Sequence, residues 1–430
     1  MKIAFYTLGC KLNQAETESL ANHFSQAGYQ LVGTDDSADI YVANTCTVTH
    51  IADRKSRHWL RMMRRKNPQA FIIATGCYAQ RAHEELAPIA DLVLGNEDKE
   101  RLLEIVEGLS SPGHLTTIHQ ISGRPREASL TPANGTRSRS LIKIQDGCHS
   151  PCTYCVVPLV RPYEHSLPAS EIIDEIRQKV AAGYKEVVLT GTKVGCYKDD
   201  GAGLSNLLKR ILNDTGIERL RLSSLQPQEI SPELLALWQN RRLCRHFHLA
   251  LQSGSDFVLQ RMKRNYSLND YAKAATSIKE ALPGVAITTD IMVAFPGESD
   301  KEFEQSYRFC QQIGFANIHV FPFSPRPGSQ AAKMSNKVKD KVKRERLQKM
   351  LALAAHHRES FCEQFLGRTM PVLWEKETGP GSSMYSGLTD NYIRVFAHSD
   401  KPLANKIAPV KLVKFQDQGT WGELVSENPD

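Results

Sequence analysis

The stretch QDGCHSPCTYC places Cys148, Cys152 and Cys155 within eight residues, in the spacing C-x3-C-x2-C. Thiolates are soft ligands that suit zinc and iron–sulfur clusters. A closed structural zinc site needs four protein ligands, and this loop offers three thiols. A four-iron cluster held by three cysteines keeps one iron free for the amino and carboxylate groups of a substrate. The alternative is zinc with His149 as fourth ligand, but His149 directly follows Cys148, which makes shared ligation awkward. A second set is scattered. Cys10, Cys46 and Cys77 each close an apolar run, in YTLGC, VANTC and IATGC. If those runs are parallel strands, the three thiols share one sheet edge, where open α/β sheets bind ligands. The plain alternative is that cysteine is apolar and common in buried strands.

The elements that must position these thiols can be read from the periodicity. Residues 1–107 alternate strand and helix signals: IAFYTLGC, QAETESLANHFSQAG, DIYVANTC, RKSRHWLRMMRRKN, AFIIATGC and DLVLGN. This predicts βαβαβαβ, a parallel sheet covered by helices. Residues 108–138 are rich in Gly, Pro, Ser and Thr and read as a linker, with one possible strand in LTTIHQI. Residues 139–366 carry six strand candidates: SLIKIQDGC, EVVLTG, RLRLSS, HFHLALQ, AITTDIMVAFP and NIHVFPFSP. With helices between them they predict a partial (β/α)6 barrel, the open relative of the eight-unit barrel, with its sites at the strand ends. A long basic helical stretch begins near Lys333. Residues 367–430 turn to short strands and turn residues, which predicts a small antiparallel β-barrel. The fold class is therefore α/β followed by a small all-β unit.

Composition sets limits. The chain has 430 residues, 41% hydrophobic and 23% charged, with a formal net charge of +7. Its length allows two or three domains. The start turns polar too soon for a signal peptide, and no apolar run approaches a membrane span. We therefore expect no membrane partner and a cytoplasmic location. Ten cysteines in a reducing compartment point to metal or catalysis rather than disulfides. Of the remaining cysteines, Cys310 and Cys362 read as core or helix-face residues and Cys244 has no partner at ligand spacing. Cys196 lies in a loop after a strand end.

The C-x3-C-x2-C loop after the first barrel strand resembles that of the radical S-adenosylmethionine (SAM) enzymes, with Tyr154 before the last cysteine matching as well. That resemblance implies a SAM site along successive strand ends: Thr190 and Gly191 in VVLTGT, Ser223 in RLRLSS, Gln252 in HLALQSGS, and Pro296 and Gly297 in VAFPGES. The last stretch resembles Gly-x-Pro-Gly-Glu, with Phe295 departing at its start. The second cysteine set narrows the resemblance to the methylthiotransferases, whose N-terminal domain carries an auxiliary cluster. Two 4Fe-4S clusters and SAM are then the implied cofactors. One cluster would cleave SAM to a 5′-deoxyadenosyl radical and the other would hold the sulfur that is methylated and transferred. The tail resembles the TRAM domain, a small RNA-binding barrel, most tellingly in SGLTDNYIRVF.

Within that family, TLGCKLNQAETE looks most like the bacterial branch acting on threonylcarbamoyl-adenosine in tRNA. Lys11 and Leu12 follow Cys10, where the isopentenyl-adenosine branch shows Gln-Met and the ribosomal-protein branch Pro-Lys. One departure stands out: PLVRPYEHS has Pro162 and Tyr163 where the family has glycine after the arginine. The expected partners are a tRNA substrate, an electron donor and a sulfur source. The basic helix near 54–66 supplies Arg61, Arg64 and Arg65 as candidate RNA contacts, and 333–349 adds a second basic run. Phosphate contacts of this kind give salt-dependent affinity rather than sequence choice. The rivals are the other two methylthiotransferase targets and, from a different class, a zinc-binding RNA adaptor.

Overall fold

The computed structural model describes residues 1–109, 138–379, 381–416 and 419–425. Most of the expected linker, including LTTIHQI, lies outside these residues.

The N-terminal unit is a five-stranded parallel sheet in the order β2-β1-β3-β4-β5. Its strands are β1 (Lys2–Thr7), β2 (Gln30–Val32), β3 (Ile40–Thr45), β4 (Phe71–Gly76) and β5 (Leu92–Val93). Four of them were legible in the sequence. The edge strand β2 was not, because three residues give no countable period. The central β3, IYVANT, is buried at every position, as a strand covered on both faces must be. Helices α1 (Lys11–Gln26) and α2 (His50–Lys66) cover the sheet, and the short α3 (Cys77–Arg81) follows β4. The hydroxyl of Thr49 caps α2 by accepting from the Ala52 N–H at 3.2 Å. The buried stripe of α2 includes Ser56, Trp59, Leu60 and Met63. Trp59 stacks on Tyr6 of β1, with centroids 4.5 Å apart.

The central unit is built on β6 (Arg139–Asp146), β8 (Glu186–Gly191), β11 (Arg219–Leu222), β13 (His246–Leu249), β14 (Ala286–Val293) and β15 (Asn317–Pro322), which run parallel. The short strands β7 (His165–Ser166), β9 (Lys198–Asp199), β10 (Ala202–Gly203) and β12 (Ser224–Leu225) ornament it. Leu220 bridges β11 to the segment before β13, accepting from the Cys244 N–H and donating to the Arg242 carbonyl. The six strands therefore form the expected partial barrel. Alternate residues such as Ile142, Leu189, Leu220, Phe247 and Ile291 join one large core against the outer helices. Period-two alternation turns Lys143, Glu186, Arg221, His248 and Asp290 the other way, into the barrel.

The C-terminal strands are β16 (Thr369–Glu377), β17 (Met384–Thr389), β18 (Arg394–His398), β19 (Ile407–Gln416) and β20 (Gly419–Leu424). They close as β16-β17-β18-β20-β19 around a core that includes Trp374, Val395 and Val410. Closure removes the edge strands that an open sheet would expose. This small barrel docks on the starting ends of the central strands. Arg245 pairs with Asp390 at 2.6 and 3.1 Å, and Asn391 donates to the Gly284 carbonyl at 3.1 Å. Tyr392 stacks on His246 at 4.4 Å. The stretch TDNY, quoted above for its likeness to an RNA-binding barrel, serves here as the dock.

Among the described residues, no helix is long and apolar enough to cross a membrane. The basic run at 333–349 enters a helix only at Asp340. Its Arg346 is buried and pairs with Glu298 and Asp300, so it belongs to the fold rather than to a free basic face.

Candidate functional site

Cys10, Cys46 and Cys77 follow β1, β3 and β4, whose ends share one edge of the sheet. Cys10 sits at the N-cap of α1, and Cys77 opens α3. Close approach is set by two glycines. Gly9 has φ +116° and a Cβ there would lie 2.8 Å from Cys46 Cβ. Gly76 has φ +95°, a conformation that favours glycine. Asn13 ties the set together, donating to the Leu8 carbonyl at 2.9 Å and the Thr45 carbonyl at 3.1 Å.

Cys148, Cys152 and Cys155 lie in the loop after β6. The Ser150 N–H approaches the Cys148 sulfur at 3.4 Å and the Val157 N–H approaches that of Cys155 at 3.4 Å. Arg264 Nη1 lies 3.4 Å from the Cys152 sulfur. Burial pushes the thiols of Cys46 and Cys155 up to about 12. Each stays protonated until a metal displaces the proton.

The two sets face each other. Cys77 packs against Val156 and Val160, which follow Cys155 in the chain. No three His, Cys, Asp or Glu side chains among the described residues are drawn together as one small ion requires. A cube with iron at its corners spreads its thiolates more widely. His149 turns away from the thiols, with its side chain 68% exposed beside Glu164; it is not placed as a fourth ligand.

The SAM-site candidates gather at the finishing ends of the barrel strands. Ser223 and Gln252 are buried, and Ser223 Oγ and Gln252 Oε1 have no hydrogen-bond partner among the described residues. A buried polar atom without a protein partner is one that a ligand or a water can complete. Gln252 also holds φ +70°, a strained choice for a side chain that concentrates at functional sites. Thr190 is buried, and a Cβ on Gly191 would sit 2.7 Å from the Gln145 carbonyl oxygen. Tyr154 packs with the apolar group of Val258, Met292 and Phe295. Pro296 and Gly297 close the turn after β14, where Gly297 takes φ +77°. The residue forced into a glycine-like conformation at the start of this turn is Ala294, at φ +62°. The departure from Gly-x-Pro-Gly-Glu therefore lies at Ala294 and not at Phe295.

The backbone at Pro162 and Tyr163 packs against the cluster loop. Gly147 takes φ +77° and would meet the Tyr163 carbonyl oxygen at 1.9 Å if it carried a Cβ, while the Tyr163 side chain is 67% exposed. Cys196 faces Glu229 at 3.9 Å. Cys244, Cys310 and Cys362 are buried.

The arginines of α2 divide. Arg61 and Arg65 are exposed, on the face that also carries Arg54, Lys55 and His58. Arg64 departs from the expected role: its guanidinium holds the Pro68 and Ala70 carbonyls at 3.1 and 2.9 Å and Asp91 at 2.5 Å. The three line a surface cavity of about 690 Å³ with Pro88 and Ile89.

Sequence reasoning missed the polar groups that join the two cysteine sets. Arg161, 4% exposed, donates to Glu16, Asp146, Asn13 and Cys77. Lys99, 2% exposed, pairs with Glu16 at 2.5 Å. Burial alone would raise the Glu16 carboxyl, but Lys99 and Arg161 hold it well below the usual carboxylate range. The only signal was a position: Arg161 stands in the motif arginine of PLVRPYEHS.

Comparison with known proteins agrees with this layout. Residues 2–95 match the model described as Uncharacterized protein family UPF0004, and residues 142–310 match the Radical SAM superfamily. The chain is 37% identical to "Threonylcarbamoyladenosine tRNA methylthiotransferase MtaB" of Bacillus subtilis (strain 168), over 98% of this chain and 96% of the relative. It is 38% identical to the protein of the same name in Aquifex aeolicus (strain VF5), over 92% and 96%. It is 33% identical to "tRNA-2-methylthio-N(6)-dimethylallyladenosine synthase" of Geobacter sulfurreducens, over 99% and 97%. Among solved structures, the radical SAM methyltransferase TsrM from Kitasatospora setae shares the fold, with TM-score 0.56 and 14% identity over 77% of this chain and 75% of that one. Near-full-length identity of this size, together with two facing cysteine triads, leads to one conclusion: the chain belongs to the radical SAM methylthiotransferase family.

Proposed function

We propose that this chain inserts a methylthio group at carbon 2 of N6-threonylcarbamoyladenosine, beside the anticodon at tRNA position 37, in the cytoplasm. The observation that carries the reading is the pair of cysteine triads on facing loops, Cys148, Cys152 and Cys155 opposite Cys10, Cys46 and Cys77. Each triad would hold a 4Fe-4S cluster with one iron free of protein ligands. With SAM bound, such clusters supply the 5′-deoxyadenosyl radical and the transferable sulfur.

The chain's own residues do the positioning. The unpartnered Ser223 and Gln252 atoms and the Thr190–Gly191 strand end would receive SAM. Arg264 sets positive charge beside Cys152. An unpaired loop base splayed from its stack would be the part of the RNA that reaches the transferable sulfur. Arg61 and Arg65 would meet the RNA backbone. The relatives named for threonylcarbamoyladenosine support the choice of side group, and the Geobacter relative supports dimethylallyl-adenosine as the second reading. The test is mass spectrometry of tRNA nucleosides from a host lacking its own methylthio-threonylcarbamoyl activity, with and without this chain. Appearance of that nucleoside only with the chain is expected. Appearance of methylthio-dimethylallyl-adenosine alone would transfer the assignment to the second reading.

A further inference from the structure

We propose that Arg161 tunes the N-terminal cluster and couples it to the radical SAM loop, as a positioning residue rather than a catalytic one. The inference rests on the two-cluster reading above. All five guanidinium donors of Arg161 are used. Nε reaches the Cys77 sulfur at 3.5 Å, Nη1 reaches Glu16 at 2.7 Å and Asp146 at 2.6 Å, and Nη2 reaches Glu16 at 2.9 Å and Asn13 at 3.1 Å. Its backbone carbonyl accepts from the Cys148 N–H at 3.4 Å. One residue of the barrel loop therefore touches a thiol of the N-terminal set through its side chain and a thiol-bearing residue of the other set through its backbone.

Among the described residues, the other two N-terminal thiols have no such cation in hydrogen-bond contact. The Cys46 sulfur accepts from the Val48 N–H at 3.5 Å, and that of Cys10 faces Asn13 at 3.8 Å. Arg161 and Lys99 balance Glu16 and Asp146, so a Cys77 thiolate adds a negative charge whose direct cationic donor is Arg161. An N–H···S bond from a buried cation stabilises the more negative, reduced state of a cluster and raises its potential. Lysine cannot replace the planar fork.

The test uses the full chain with Cys148, Cys152 and Cys155 changed to Ala, reconstituted so that its iron sits in the N-terminal triad. Its potential is followed by electron paramagnetic resonance. Arg161→Lys is compared with the parent. Arg161→Met with Asp146→Asn is a second variant that keeps the buried Lys99–Glu16 pair and so leaves no new unpaired buried charge. We expect iron retained and a more negative potential in both; a tenfold change in the one-electron equilibrium is about 59 mV. In the chain with all six cysteines, the ratio of methylthio product to 5′-deoxyadenosine should fall. Unchanged potential with iron in place overturns the role of Arg161 alone, as does loss of iron from a folded variant. Absence of iron from the parent with Arg161 intact overturns the two-cluster reading itself.

Discussion

Arg221 and Glu186 form an ion pair in which neither side chain is exposed, with Nε 2.7 Å from Oε1. Arg221 also donates to the Asp390 carbonyl at 3.0 Å and lies over the Tyr392 ring at 4.8 Å. The pair therefore joins two strands of the central barrel to the docking turn of the C-terminal one. Burying two charges is costly, and breaking such a pair leaves one of them uncompensated. Arg221→Met should cost about 3–5 kcal/mol in denaturant unfolding. Arg221→Met with Glu186→Leu should recover much of that loss. A double variant as unstable as the sum of the singles would show that the pair itself is not the reason.

The two triads should separate genetically. The reconstituted chain should carry about eight irons. Cys148, Cys152 and Cys155 changed together to Ala should leave about four and abolish SAM cleavage. The same change at Cys10, Cys46 and Cys77 should also leave about four, yet keep SAM cleavage and stop sulfur insertion. Methylthio product from the second variant would refute the division of labour.

Two glycines give a finer probe. Gly147→Ala puts a Cβ 1.9 Å from the Tyr163 carbonyl oxygen, and Gly9→Ala puts one 2.8 Å from Cys46 Cβ; both also demand positive φ. Each should reduce iron at its own triad, measured as iron per chain in backgrounds lacking the other triad. Equal loss at both triads from either change would point to general unfolding.

On the RNA face, Arg61→Glu with Arg65→Glu should weaken tRNA binding and lower the salt slope by about two. Arg64→Glu should instead lower thermal stability, because Arg64 already holds Asp91 and two carbonyls. Unchanged affinity in the double variant at moderate salt would remove α2 from the interface.

Acid stability should depend on Glu302. Burial alone would raise its carboxyl, but the Arg261 hydrogen bonds and the N–H and hydroxyl of Ser299 bring it down to about 2. A carboxyl lowered by folding stabilises fully above its unfolded pKa, near 4.3, and that contribution is lost as pH falls from there towards 2. Glu302→Gln should be less stable at pH 7 and should lose less between pH 4.5 and 2.5. Parallel pH profiles for the two chains would contradict this.

The sequence by itself determined the longer strands, the cysteine sets and their order. Apolar runs of six to eight residues ending in Cys, Gly or Thr are strong local signals, and C-x3-C-x2-C is a local motif. The tail was legible as a small antiparallel β-barrel for the same reason, although its closure runs through one parallel pair, β18 with β20. What needed the tertiary structure was every relation between distant side chains. That Cys77 lies against Val156 and Val160, and that Arg161 reaches Cys77, depends on how the N-terminal sheet packs on the barrel. Arg64 and Arg65 are neighbours in one basic run, yet the fold commits the first and exposes the second. That Ala294 takes the glycine-like φ of +62° is a property of the folded turn, although counting back from Pro296-Gly297-Glu298 already puts the motif glycine at this position. Sequence pattern records which residues share a face of one element. Only packing decides which faces meet, and there the buried charges of Arg161, Glu16, Arg221 and Glu186 find their partners.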